Sequence, residues 1–199
     1  MNKITICAEG WLACKSTFYS TLDIIKDSQI ELHIGANELR GEIDSGVFGI
    51  SYLISMYNTL SKRETEAIAV KKLLVDESAA LISELSDRAA YIDKVNPRFN
   101  TRKSVLKQVE SALRSSKMDC NAIDVLKDFG VEEPWFDRTI SQTGNLAYQA
   151  IAAIAFATGV DVFCLPWFSA ARYDYFKERI ARIAKTLTER NKILIIPHS

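Results

Sequence analysis

The first stretch able to do chemistry is Gly41-Glu42-Ile43-Asp44-Ser45-Gly46-Val47-Phe48-Gly49-Ile50-Ser51. A phosphate-binding loop of the pattern GxxxxGK[ST] works through three parts. Consecutive backbone N–H groups and a helix N-terminus cradle phosphate oxygens, the lysine neutralises charge, and the hydroxyl holds magnesium. Two registers fit. In one, Gly41 and Gly46 are the glycines, and Val47 and Phe48 stand where lysine and the hydroxyl belong. In the other, Asp44 to Gly49 forms the loop, Gly46 and Gly49 supply the close approach, Ile50 replaces the lysine and Ser51 keeps the magnesium position. The second is preferred, because ELRGEI (38–43) then supplies the preceding strand and ISYLISMYNTL (50–60) the following helix. Both lack the lysine. A charge-assisted contact is worth roughly 1.5–3 kcal/mol, so its loss lowers the affinity for a triphosphate by about one to two orders of magnitude. Asp44 adds repulsion, and what remains is a weak amide-and-dipole site. The same residues also suit a plain glycine-containing turn.

Other reactive side chains are scattered. Cys7, Cys14, Cys120 and Cys164 form no CxxC pair, and His33 and His198 stand far apart, so no metal-ligand spacing is present. Glu132 and Glu133 precede Pro134-Trp135 in what reads as a solvated turn. Lys62, Arg63, Lys71 and Lys72 are interleaved with Glu64, Glu66 and Glu77, the pattern of a solvated helix face. Lys plus Arg equals Asp plus Glu at 25 each, so no global field draws the chain to nucleic acid. No apolar run reaches the roughly 18 residues of a membrane-spanning helix. The start, MNKITICAEG, lacks the apolar core of a secretion signal, which points to a cytosolic protein with reduced thiols.

The elements that would position these groups follow from period and punctuation. Residues 1–6 and 29–34 alternate as strands, with 38–43 a weaker third. Residues 61–128 turn charged and amphipathic. Apolar residues at Ile68, Leu73, Leu74, Leu81 and Leu85 predict a helix over 64–90, broken at Asn96-Pro97, with two shorter helices over 101–113 and 119–129 before a Gly130 cap. The last third reads as the turn ISQTGN, an apolar helix (LAYQAIAAIAFA), a buried strand (VDVFCL), an amphipathic helix (173–190) and a final strand (KILIIPHS). This predicts a single α/β domain, with 1–60 and 139–199 as core and 61–138 as a helical insert.

That order resembles the second half of an ATP-binding cassette domain, in particular the type serving capsular polysaccharide exporters. The resemblance is carried over 139–199 and extends more loosely over 1–60. It implies a P-loop NTPase-like core with a helical subdomain, ATP and magnesium as ligands, and a signature turn facing the opposite subunit's phosphates. The signature positions match Ser141 and Gly144, and Ser141 equally suits a helix cap. His198 falls at the switch histidine that contacts a γ-phosphate. The family's strand ends in an acidic pair that holds magnesium and polarises water; here the pair is Pro166-Trp167. A glutamine at the junction with the helical insert is also missing, since none occurs between Gln29 and Gln108. Family members continue through further strands beyond the switch histidine, so this sequence reads as a minimal or truncated form.

The resemblance therefore implies a degenerate ATP-binding subunit. It would pair with a second such subunit or a membrane permease, bind no nucleic acid, and sit in the cytoplasm, peripheral to the inner face of the membrane. A non-enzymatic interaction module that keeps the fold as a scaffold is the alternative. Its binding face would be the aromatic group Trp167, Phe168, Tyr173, Tyr175 and Phe176. An active enzyme would need substitutes for the missing acids, such as Asp174 or Glu178.

Overall fold

The computed structural model describes residues 1–27 and 29–199, and it has two sheets with one helix buried between them. The first sheet is antiparallel in the order β2-β1-β4-β5, from β1 (Lys3–Lys15), β2 (Ser20–His33), β4 (Ile68–Val75) and β5 (Ser78–Ala79). The second is parallel in the order β3-β8-β7-β6, from β3 (Gly35–Arg40), β6 (Ala89–Tyr91), β7 (Val162–Cys164) and β8 (Ile193–His198). Between the sheets runs α1 (Val47–Met56), buried from Phe48 onward. Such a helix has no solvent face, which is why its residues are apolar or small all round.

The parallel sheet explains the runs that read as buried strands. Val162-Phe163-Cys164 and Ile193 to His198 are buried along their whole length, because helices cover both faces. On the side away from α1 lie α4 (Val105–Ser116), α5 (Ala122–Asp128), α6 (Ala147–Ala157) and α7 (Ala170–Glu189), which enclose a second core. α6 is buried at every position, and its alanines let neighbouring helices approach closely. α7 is amphipathic and turns Phe176, Ile180, Ile183 and Leu187 inward.

The helix expected over 64–90 is not formed. Ser61 caps only a short helix, α2 (Lys62–Glu66), through a reciprocal bond pair with Glu64. The chain then extends as β4, paired antiparallel with β1 from Ile4↔Val75 to Gly10↔Ile68. It reverses at Asp76 and Glu77, both at positive φ, the two-residue geometry of a tight hairpin. The Asp76 carboxylate accepts from the backbone N–H groups of Asn2 and Lys3, fixing the turn to the chain start. A short α3 (Ile82–Asp87) leads into β6. Residues 61–91 thus feed strands to both sheets, and the helical layer begins at α4. The first strand is also longer than its alternation suggests, because β1 and β2 form one long hairpin with its turn at 16–19.

Candidate functional site

In an open parallel sheet, ligands bind at the carboxyl ends of the strands. Four segments meet there: Gly41 after β3, Ile92-Asp93 after β6, Leu165-Pro166-Trp167 after β7, and His198 closing β8. Gly41 is held at this edge by donating its N–H to the His198 carbonyl (2.8 Å).

The loop after β3 runs from Gly41 to Gly46 and is tightened by Ser45, whose Oγ donates to the Glu42 carbonyl (2.6 Å). Gly46, at φ 93°, is the residue before the helix, and its carbonyl accepts the first helical bond, from Ile50 N. The helix start therefore selects the register with Gly41 and Gly46 as its glycines, against the sequence preference for the other. Val47 and Phe48 occupy the lysine and hydroxyl positions, and Phe48 is fully buried. The preferred register is wrong for a local reason: Gly49, Ile50 and Ser51 lie inside α1. Ser51 is fully buried and donates its hydroxyl to the Leu165 carbonyl (2.7 Å), so it ties the helix to the end of β7 and is committed away from magnesium.

Gly46 and Gly49 are glycines for a second reason, the approach of β2. A Cβ on Gly46 would meet the Ile24 carbonyl oxygen at 2.8 Å, and one on Gly49 would meet the Ile25 side chain at 2.7 Å. This closeness brings a residue that sequence reasoning missed, Asp23. Fully buried, it accepts from Gly46 N (3.0 Å) through one carboxylate oxygen and from Gly49 N (2.5 Å) through the other. Burial pushes its carboxyl up, opposed by the N–H groups of Gly49, Gly46 and Ile24, while Asp44 pushes it further up. The signal available in the sequence was a single acid within the apolar alternation Leu22-Asp23-Ile24-Ile25.

The sheet end after β7 is closed by an indole. Trp167 is 5% exposed, donates Nε1–H to the Gly41 carbonyl (2.9 Å), and takes the Tyr19 ring edge-on at 5.1 Å. Tyr19 belongs to the tip of the β1–β2 hairpin, which folds over this end of the sheet. Three more contacts hold the tip. Asp93 accepts from Thr17 Oγ1 (2.6 Å) and Thr17 N, Tyr91 donates to the Lys15 carbonyl (2.9 Å), and the Arg172 guanidinium lies 3.7 Å above the Phe18 ring. Asp93, after β6, is a second residue that sequence reasoning passed over. Burial pushes its carboxyl up, against the bonds from Thr17 and Val95.

His198 is placed at the end of β8 as expected, but its ring is engaged elsewhere. It is buried and stacked on Tyr173 (4.1 Å between centroids, 7° apart), with Nε2 3.3 Å from Glu38 Oε2. Tyr173 donates to the other Glu38 oxygen (2.8 Å). That hydroxyl, with His198 and Arg40, holds Glu38 below the usual carboxylate range despite some burial. Ser141 and Gly144 lie in exposed turns packed ahead of α6, whereas Gly46 packs on β2; the fold does not gather them within one chain. Asp174 and Glu178 are exposed on α7. The aromatic group is a poor binding face around Trp167, since Trp167, Phe168 and Phe176 are core residues and Tyr175 is the exposed member.

A bound triphosphate with magnesium would need free loop N–H groups, a cation and an acid. In this site the N–H groups of Gly46 and Gly49 are satisfied by Asp23, Arg172 is stacked on Phe18, and Pro166 and Trp167 offer no ligand oxygen from their side chains. No group of His, Cys, Asp and Glu able to hold a metal ion occurs among the described residues. The residues present do not fit MgATP.

No protein-family model and no curated protein matches the chain. Solved structures do. A putative ABC transporter ATP-binding protein from Pyrococcus furiosus superposes with a TM-score of 0.58 at 14% identity, over 99% of this chain and 90% of that one. The ATP-binding cassette MJ0796, as a dimer in a post-hydrolysis state with ADP and Pi, gives a TM-score of 0.58 at 14% identity. A second dimeric structure of MJ0796 gives 0.59 at 15%. Each MJ0796 match covers 98% of this chain and 87% of its counterpart. At these identities the likeness is one of fold: an α/β, P-loop NTPase-like core of the ATP-binding cassette kind.

Proposed function

We propose that this chain is a non-hydrolysing cassette-fold subunit of a transport assembly, pairing with a second ATP-binding subunit and lying against a membrane permease on the cytoplasmic side. The observation that carries the reading is the Trp167–Gly41 contact, which puts an indole where the fold's chemistry requires an acid and seals the loop beneath it. In that reading Pro166 and Trp167 give hydrolysis no side chain to polarise water, and Val47 gives it none to neutralise the leaving phosphate. The pairing is supported by the exposed turn that carries Ser141, Gln142, Gly144 and Asn145, and by the dimeric state of both MJ0796 structures. Such a turn can face a competent partner's nucleotide while this chain's own loop stays closed. The order of elements over 139–199 supports a capsular or cell-surface polysaccharide exporter as the assembly. No helix among the described residues is long and apolar enough to cross a membrane, so the membrane path would belong to the permease. Affinity purification from its native cells in mild detergent tests the proposal. Stoichiometric recovery of a permease or an ATP-hydrolysing subunit supports it; ATP turnover by the purified chain alone, or repeated recovery without such a partner, overturns it.

A further inference from the structure

The N-terminus of α1 carries an anion already, and the anion is part of the chain. We infer that Asp23 is an internal stand-in for phosphate: its carboxylate occupies the junction of the Gly41–Gly46 loop with the first turn of α1, keeps that junction folded without ligand, and excludes phosphate groups from it. Three observations meet here. The two oxygens are divided between Gly46 N and Gly49 N, at the first turn of a helix whose dipole favours negative charge. Asp23 comes from the other sheet, more than 20 residues earlier in the chain, so the contact is tertiary and differs from a local cap. Both glycines are required to let β2 approach, so backbone shape and anion are matched to each other.

The arrangement has a chemical consequence. A phosphate entering the cradle would have to displace a buried carboxylate and would meet its charge, with Asp44 adding to the repulsion. Removing the side chain frees two N–H donors and a small volume at a helix N-terminus, so a latent anion site should open. This inference does not rest on the transport reading, because it concerns one contact within the monomer.

The test compares wild type with Asp23→Ala, using inorganic phosphate and pyrophosphate as probes at constant ionic strength, with chloride as the control anion. Calorimetry and thermal melts are the readouts. The expected result is phosphate binding at least about tenfold tighter in the variant, as follows when a competing charge-assisted contact is removed. Its melting temperature should rise with phosphate while that of wild type does not. Equal responses of wild type and variant would overturn the inference. Should Asp23→Ala fail to fold in buffer, it is refolded with and without phosphate: phosphate-dependent recovery of folded Asp23→Ala supports the inference, and recovery indifferent to phosphate overturns it.

Discussion

Replacing Trp167 measures how firmly the sheet end is closed. Trp167→Ala removes a 5%-exposed indole, its bond to the Gly41 carbonyl at 2.9 Å and its edge contact with Tyr19 at 5.1 Å. A buried Trp truncated to Ala costs about 3–5 kcal/mol. For a chain of this length 1 kcal/mol shifts the melting temperature by about 2–4 °C, so the fall should be about 6–20 °C. Trp167→Phe keeps most of the packing and deletes the indole N–H. Its cost should be about 1–2 kcal/mol, that of one hydrogen bond lost from a half-buried carbonyl. Urea unfolding followed by far-UV circular dichroism is the assay, since it does not depend on the tryptophan being replaced. An unchanged m-value would confirm that the shift is one of stability. The reasoning fails if Trp167→Ala lies within about 0.5 kcal/mol of wild type, the range of an uncommitted surface position.

Two further outcomes follow from the same geometry. Gly46→Ala places a Cβ 2.8 Å from the Ile24 carbonyl oxygen at φ 93°, so it should lower stability by more than about 1 kcal/mol in thermal melts; a neutral or stabilising change would show that β2 does not approach as described. Burial pushes the Asp161 carboxyl up, but Lys192 at 2.7 Å and Arg88 at 2.7 Å outweigh it and hold it below the usual range. A depressed carboxyl gives stability that is present above its unfolded pKa and lost as pH falls through its folded pKa, so Asp161→Asn should flatten the acid limb of the stability curve. An acid limb identical to wild type would remove Asp161 from that role.

The C-terminal third was legible in the sequence because its elements are long, apolar and sharply punctuated. α6 and β8 fall where the all-apolar helix and the final strand were read, and His198 closes the strand as expected. The segment 64–90 was misread because its apolar residues fit a helical period as well as an alternating one. Pairing with β1, from Gly10↔Ile68 to Ile4↔Val75, decides between them, and that contact is far away in the chain. The loop register differs for a related reason: the preferred one starts the helix at Ile50, whereas α1 starts at Val47 and encloses Ser51, whose hydroxyl is taken by the Leu165 carbonyl. Asp23 was invisible for want of any local pattern. Only the meeting of β2 with α1 gives a lone acid its two N–H partners. His198 shows the remaining limit, since sequence placed the residue but could not show its ring stacked on Tyr173.

The most direct measurement is a calorimetric titration of the folded wild-type chain with MgATP, with ADP as the comparison ligand. The closed cradle, sealed by Trp167 and filled by Asp23, predicts no binding heat for either nucleotide up to low-millimolar concentration. Saturable binding of either nucleotide in the micromolar to low-millimolar range would contradict the account.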